Sequence, residues 1–194
     1  MEELDYEENK AQPLKIIMAL ILILIIITGF YLVYFIKYDP YPSYTPTIEE
    51  VIQDLQLKNI SHNLDELGWT KFYYPSDPQI KLIANKIAKL SCSSYNNICY
   101  AKAMFLFVQK NVQYVKDPNF EYIETPEETL SSGTADCDGH AVLLANLLGA
   151  VGIDNQFEFS PNHIYNKIYI NGYRNNNWIP IDATCKHCKF GQTP

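Results

Sequence analysis

Three residues in the C-terminal half of the chain have the types that cysteine-based catalysis requires. Cys137 lies where a polar turn, GTAD, meets a segment with helical apolar spacing, His163 starts a predicted strand, and Asp182 ends another. A thiol nucleophile needs a base, and the base needs a group that orients it. The three residues therefore predict a Cys-His-Asp triad.

The position of Cys137 at a predicted helix start favours a reactive thiol. A helix N-terminus carries partial positive charge and unpaired N–H groups, which lower the pKa of a thiol. The same N–H groups can stabilise the oxyanion that forms when a thiolate attacks a carbonyl, and Gly139 leaves room for a substrate. Taken alone, the segment is also compatible with a small buried cysteine that begins a helix, which is common for Cys.

A predicted hairpin brings the other two residues together. HIYNKIYI begins at His163, WIPID ends at Asp182, and Asn171-Gly172 between them is a strong hairpin-turn signal. In an antiparallel pair the start of one strand lies beside the end of the next. We therefore expect His163 near Asp182, and Cys137 within reach of His163 if its helix packs across the sheet.

The remaining histidines are weaker candidates for the base. His140 follows Cys137 by three positions on the predicted helix and is expected to point elsewhere. His187, between Cys185 and Cys188, is a metal-ligand candidate only if a metal binds there. His62 has no neighbouring residues that suggest chemistry.

The spacing of apolar residues changes along the chain, from the period of about 3.6 that is typical of helices to the period of 2 that is typical of strands. Helices are predicted from TIEEVIQDLQLKNI, DPQIKLIANKIAKL, NICYAKAMFLFVQKNVQYV and the segment after Cys137, and a short one from TPEETL. Strands are predicted from DNQFEFS, HIYNKIYING and NNNWIPIDATC. Helices followed by an antiparallel meander indicate an α+β fold.

One segment predicts a transmembrane anchor. Residues 16–36 contain 21 residues without a charge, which as a helix span about 31 Å, the thickness of a bilayer core. A buried core helix and a cleaved signal peptide are the alternatives. The apolar run is longer than a signal peptide needs and no small-residue cleavage site follows it. Tyr31, Tyr34 and Lys37 instead suggest an interfacial belt.

The anchor divides the chain into four predicted parts. Residues 1–15 form an acidic disordered tail, 16–36 the anchor, 37–47 a proline-rich stalk, and 48–194 the catalytic domain. Lys10 and Lys15 precede the anchor and Lys37 follows it, which places the N-terminus in the cytoplasm and the catalytic domain outside.

Four of the five cysteines form two pairs that are close in sequence. They are Cys92 with Cys99, and Cys185 with Cys188. Two short disulfides in an oxidising compartment would leave Cys137 free. The sequence leaves two alternatives for these four cysteines, namely one four-cysteine zinc site or reduced structural thiols.

The charge balance excludes one class of partner. The net charge is -7, and no cluster of Lys and Arg stands out, so no nucleic-acid partner is expected. The chain lacks an EF-hand pattern. Neither a cofactor nor a metal ion is predicted for the catalytic site.

The segment from about Val112 to Thr184 resembles the transglutaminase-like core, a thiol-hydrolase superfamily. The resemblance is carried by NVQYVKD, PEETLSSGTADCDGHAVLLANLLGAVGI, HIYNKIYI and WIPIDAT. Members have a Gly-x-x-Asp-Cys turn, a Leu-rich helix ending in Gly-Ile, a His-bearing strand and a Trp-x-x-x-Asp strand. His163 is followed here by Ile164-Tyr165, where many members have Ala-Trp.

The resemblance implies a transglutaminase-like, papain-like cysteine hydrolase core, with helices packed on an antiparallel sheet behind the anchor. It implies that Cys137 is the nucleophile, His163 the base and Asp182 the orienting group, and that Tyr114 is a weaker candidate oxyanion donor.

The implied function is a membrane-anchored cysteine protease, amidase or acyltransferase acting on peptide or protein amides through a thioester. The alternatives are a catalytically silent binding or scaffold module, and a metal-binding ectodomain that uses CKHC.

Overall fold

The computed structural model describes residues 2–53, 55, 57, 69–118 and 122–194. His62 lies outside these residues. The chain forms two compact units, residues 1–40 and 41–194.

The first unit is one helix, α1 (Glu2–Tyr38). Its segment Pro13–Tyr34 has a mean hydropathy of 3.1 and is exposed throughout. It is long and apolar enough to cross a membrane, a test that a signal sequence also passes. The helix starts at Glu2, so the acidic segment that we expected to be disordered is helical in the structure. This segment contains several good helix formers, Glu, Lys and Ala among them.

The second unit combines helices with two small sheets. The helices among the described residues are α2 (Ile48–Ile52), α3 (Pro78–Ser91), α4 (Asn97–Asn111), α5 (Pro126–Ser132) and α6 (Cys137–Ala150). The strands are β1 (Gln113–Tyr114), β2 (Thr134–Ala135), β3 (Asp154–Ser160), β4 (His163–Tyr169) and β5 (Ile179–Ile181). This mixed architecture confirms the predicted fold class.

Polar side chains set the helix starts that matter for the site. The Thr125 side chain caps α5 in a reciprocal capping box with Glu128. Asp136 caps α6, because its Oδ1 accepts a hydrogen bond from the backbone N–H of Asp138 at 3.0 Å. Gly133, with φ of +66°, ends α5 in the left-handed conformation that glycine adopts without strain. The chain therefore turns sharply between the two helices, just before Cys137.

Helix α6 is the centre of the core. Its residues from Asp138 to Leu148 are all buried, and it packs against β3 and β4 as well as α3, α4 and α5. A helix whose buried residues are mostly apolar, as here, belongs in such a position. The N-terminus of α6 is thereby held in a fixed place relative to the sheet.

The main sheet has the order β3-β4-β5, with antiparallel pairing throughout. The β3–β4 register pairs Ser160 with His163, across a tight turn at Pro161 and Asn162. Asn162 has φ of +59°, a conformation that Asn tolerates better than most residues. The predicted strands are present, and the Asn171-Gly172 turn has become part of a longer loop that includes a short 3₁₀ helix.

Two features differ from expectation. A second sheet of parallel β1 and β2 was not predicted; each strand has two residues, too few for an alternating pattern to show. Part of the proline-rich segment, expected to be a stiff extended stalk, makes hydrogen bonds within the second unit: the N–H of Ser43 donates to Ser91 O at 2.9 Å, and Asn111 Nδ2 donates to Pro46 O at 3.0 Å.

Candidate active site

Cys137 is the first residue of α6 and is half-buried. Its thiol is free, while the other four cysteines are bonded in pairs. The backbone N–H of Ile164 lies in hydrogen-bonding position to this thiol and favours its thiolate form. Because Ile164 follows His163 in the chain, this contact places the Cys137 sulfur beside the start of β4.

His163 and Asp182 are in direct contact. His163 is the first residue of β4 and Asp182 follows the last residue of β5. The distance from His163 Nε2 to Asp182 Oδ2 is 2.6 Å. The imidazole is 27% exposed and the carboxylate only 1%. Asp182 therefore holds one ring nitrogen from the protein interior and leaves Nδ1 for other partners.

Thr184 fixes the second oxygen of Asp182. Asp182 Oδ1 accepts hydrogen bonds from Thr184 Oγ1 at 2.6 Å and from the Thr184 backbone N–H at 2.9 Å. The two oxygens of this buried carboxylate thus have separate partners, and its plane is defined by both. Sequence analysis did not single out Thr184; its place two residues after a candidate Asp, typical of an Asx turn, was the available signal.

Cys137 and His163 line one cavity of about 580 Å³, together with Tyr114, Lys116 and Phe159. Tyr114 and Phe159 are large side chains that are 46% and 57% exposed. Asp182 does not line the cavity and supports His163 from behind. The structure thus brings the four predicted residues Cys137, His163, Asp182 and Tyr114 to one place.

The pKa of Cys137 differs in direction from our expectation. Burial raises the pKa of this thiol, and the neighbouring carboxyls Asp136 and Asp138 raise it further. The N–H groups of Ile164 and of Cys137 itself act in the opposite direction but do not prevail. Cys137 does begin a helix, as predicted, but the loss of solvent around the thiolate raises the pKa more than the helix N-terminus lowers it.

Tyr114 lies close enough to Cys137 for the two groups to influence each other. Burial raises the pKa of the Tyr114 hydroxyl, and the thiolate form of Cys137 contributes in the same direction. The hydroxyl therefore stays protonated and keeps a proton to donate. Its role as an oxyanion donor stays a prediction.

Neither of the other described histidines lines the cavity, although the His140 ring lies 6.2 Å from the Tyr114 ring, centroid to centroid. His140 is buried, with Nδ1 at 2.7 Å from Asp136 O and Nε2 at 3.3 Å from Val112 O. Burial lowers the pKa of His140, so the neutral ring donates to one backbone carbonyl. His187 is exposed.

The four remaining cysteines form the two short-range disulfides Cys92–Cys99 and Cys185–Cys188. The first joins the end of α3 to the first turn of α4. The second closes a loop after Asp182. With every one of these sulfurs bonded to another sulfur, the zinc alternative lacks its thiolate ligands in this state.

Comparison with known proteins identifies the family. The model of the transglutaminase-like superfamily matches residues 83–183, more than half of the chain. None of the curated proteins compared with the chain matches it. A solved structure from Cytophaga hutchinsonii, provisionally described as a cysteine protease, aligns with 24% identity and a TM-score of 0.42, over 69% of this chain and 47% of that one. The chain thus spans less than half the length of that protein. On the strength of the family match, the chain belongs to the transglutaminase-like superfamily.

Proposed function

We propose that the chain is a membrane-anchored cysteine hydrolase that cleaves peptide or protein amide bonds. Cys137 is the nucleophile, His163 the general base and acid, and Asp182 the residue that orients His163. The observation that carries the proposal is the 2.6 Å bond from His163 to buried Asp182, with Cys137 in the same cavity as His163.

The raised pKa of Cys137 favours a protonated thiol in the resting enzyme over a preformed thiolate. Asp182 occupies Nε2 of His163, so Nδ1 is the nitrogen that accepts the thiol proton during attack. The sulfur then bonds to the amide carbon, and the N–H groups at the N-terminus of α6 support the oxyanion.

The second half of the cycle returns the proton. The C–N bond breaks as Nδ1 protonates the leaving amine, which leaves a thioester on Cys137. A water molecule, deprotonated by His163, attacks the thioester and releases the carboxylic acid and the thiol. An amine in place of water gives acyl transfer, so the choice between hydrolysis and transfer lies in the nucleophile of this step.

The proposed location follows from two features. Segment Pro13–Tyr34 provides the anchor, and the two disulfides favour an oxidising compartment for the second unit. We place the N-terminus in the cytoplasm and the catalytic unit outside it.

The test is hydrolysis of fluorescein-labelled casein by the full chain in detergent micelles. We expect Cys137→Ala to abolish turnover and His163→Ala to lower kcat by about 10³-fold or more. His187→Ala, which removes an exposed histidine, serves as the matched control and should retain activity. Supplying a primary amine shows transfer if the amine becomes attached to casein. Full activity of Cys137→Ala would refute the proposal.

A binding module without turnover is the second candidate. The observation in its favour is the raised pKa of Cys137, which reduces the thiolate fraction at neutral pH. Wild-type protein that binds peptides with no cleavage or transfer, and no loss of binding in Cys137→Ala, would select this alternative.

A further inference from the structure

Two walls of different chemistry line the cavity that contains Cys137. The β1 wall comes from the end of β1 and contributes Tyr114 and Lys116. The β3 wall comes from the end of β3 and the turn after it, and contributes Phe159 and Asn162. An amide attacked by Cys137 has peptide chain on both of its sides, so each wall can contact a different part of one substrate.

The pairing of β1 with β2 places Lys116 beside the nucleophile. The register pairs Tyr114 with Ala135, and the N–H of Val115 donates to Ala135 O at 3.0 Å. In a parallel pair, equal steps along both chains keep their residues level. Counted two residues on from the Tyr114–Ala135 pair, Lys116 is level with Cys137. The Lys116 side chain, which lines the cavity, therefore starts from backbone next to the reactive thiol.

The β3–β4 register brings Phe159 to the same sulfur from the main sheet. Phe159 pairs with Ile164, and directly opposed residues of an antiparallel pair have their side chains on the same face of the sheet. The backbone N–H of Ile164 is the group in hydrogen-bonding position to the Cys137 thiol. Because Phe159 is 57% exposed, its ring offers apolar surface to a ligand that enters the cavity.

Lys116 brings positive charge into the cavity. It is exposed, and it forms no ion pair with any carboxylate of the described residues. Two carboxyl groups share the cavity, but Asp136 accepts the capping hydrogen bond of α6. Burial and a hydrogen bond with Asp136 raise the pKa of Asp138 to about 9, so Asp138 is protonated at neutral pH. The Lys116 ammonium is thus available to a negatively charged ligand.

We propose that the cavity recognises peptides that carry a large apolar side chain on one side of the scissile amide and a carboxylate on the other. Phe159 contacts the apolar side chain, and Lys116 binds the carboxylate. The carboxylate comes from an Asp or Glu side chain or from the C-terminus of the peptide, which present the same group to an ammonium. This inference rests on the proposed hydrolase function and deepens it by naming the substrate class.

The test measures peptide binding to the full chain in detergent micelles by calorimetry, with Cys137→Ala as the parent protein so that no turnover occurs. The probes are acetylated hexapeptide amides with Phe and Glu on opposite sides of a central Ala-Gly bond, in both orders. Each has a matched amide with Gln in place of Glu, and a third version that keeps Gln and ends in a free carboxylate.

We expect a carboxylate probe, in at least one order, to bind about fivefold more tightly than its neutral Gln amide. A preference for the Glu amide identifies a side chain as the source of the carboxylate, and a preference for the free acid identifies the C-terminus. Higher salt should reduce the preference, because Lys116 is exposed.

Two substitutions separate the walls. Lys116→Gln should bind charged and neutral probes equally and keep its affinity for the neutral ones, whereas a merely structural role would weaken both. Lys81→Gln, which neutralises an exposed lysine on α3 outside the cavity, is the matched control and should keep the preference. Phe159→Ala should weaken binding of every probe by about fivefold or more, since apolar contact is lost, and Phe159→Leu should restore most of it.

These measurements stand apart from turnover. Equal affinity for charged and neutral probes in both orders would overturn the proposal, as would the absence of binding by any probe. A carboxylate preference that persists in Lys116→Gln would overturn it too, because the charge would then be bound elsewhere. If the preferences are found but the chain with Cys137 leaves casein uncleaved, the hydrolase function fails and the recognition site stands.

Discussion

At the scale of single residues, the site depends on how Asp182 is held. This carboxylate is almost fully buried, and its two oxygens are assigned to different partners, His163 and Thr184. A group fixed on both sides cannot rotate away when the imidazole becomes positively charged. Thr184 is therefore a positioning residue in our proposal, acting on His163 through Asp182.

We predict that Thr184→Val lowers kcat by about tenfold, because this change removes the hydroxyl that holds Asp182 and keeps the side-chain volume. A hydrogen bond to a charged group contributes about 1.5–3 kcal/mol. KM should stay near its wild-type value, and Thr184→Ser should restore most of kcat. The comparison is of steady-state kinetics and pH profiles for the three proteins. Equal kcat for Val and wild type would show that the backbone N–H alone positions Asp182.

The protonation state of Cys137 gives a second prediction at this scale. Because burial raises the pKa of the thiol above its ordinary value, the thiolate fraction at neutral pH is smaller than for an exposed cysteine. Alkylation of the protein by iodoacetamide should therefore reach half its maximal rate above about pH 8.5, the value for a free thiol. Cys137→Ser provides the background, since the other cysteines are in disulfides. A half-maximal rate near pH 7 would instead demonstrate a stable ion pair with His163.

At the scale of elements, α6 and the helix pair α3–α4 form the support of the site. Helix α6 carries the half-buried Cys137 at its N-terminal end, while its residues from Asp138 to Leu148 are enclosed by the sheet and by the other helices. Helices α3 and α4 both pack against α6, and Cys92–Cys99 links them. The disulfide limits how far the two helices can separate in the unfolded chain.

We predict that Cys92→Ala with Cys99→Ala lowers the free energy of unfolding by about 2–3 kcal/mol, the chain-entropy effect of opening a short loop. The double variant Cys185→Ala, Cys188→Ala is the comparison. Its loop is shorter, with a separation of 3 residues against 7, so its loss should be smaller by roughly 0.6 kcal/mol. Urea unfolding of the full chain measures both. A larger loss for the second pair would contradict this order.

At the scale of the whole molecule, the chain combines two units that differ in how much of their apolar surface is exposed. The apolar part of α1 exposes nearly all of its Ile and Leu side chains, an arrangement that is stable in lipid and not in water. The second unit buries its apolar residues in a core of its own. The second unit therefore contains the candidate site and its supporting elements, and in our proposal α1 attaches the chain to the membrane.

We predict that Ile23→Lys with Ile26→Lys releases the chain from membranes, because a Lys near the centre of a spanning helix costs about 2.5–3.5 kcal/mol. Ile23→Leu with Ile26→Leu is the matched control and should stay in the membrane pellet after carbonate extraction. Immunoblots of the pellet and supernatant also report the mass of the chain. A wild-type chain shortened by its first 36 or so residues would identify a cleaved signal sequence instead of an anchor.

Much of the architecture could be predicted from the sequence, because the responsible interactions are local. The Asp77-Pro78 start of α3 and the Thr125-Glu128 capping box are short-range patterns, and alternation of apolar residues is enough to locate β3 and β4. The juxtaposition of His163 and Asp182 followed from the order of two antiparallel strands.

Only the tertiary structure decided the electrostatics of the site. The helix N-terminus at Cys137 predicted a lowered pKa, but burial of the thiol in the folded chain raises its pKa. The hydroxyl bond from Thr184 and the approach of Glu124 to Asp138 depend on side-chain positions that no periodic pattern encodes. Residue types and local spacing determined which groups could react; desolvation and charge at those groups depend on everything packed around them, and that is settled only when the chain folds.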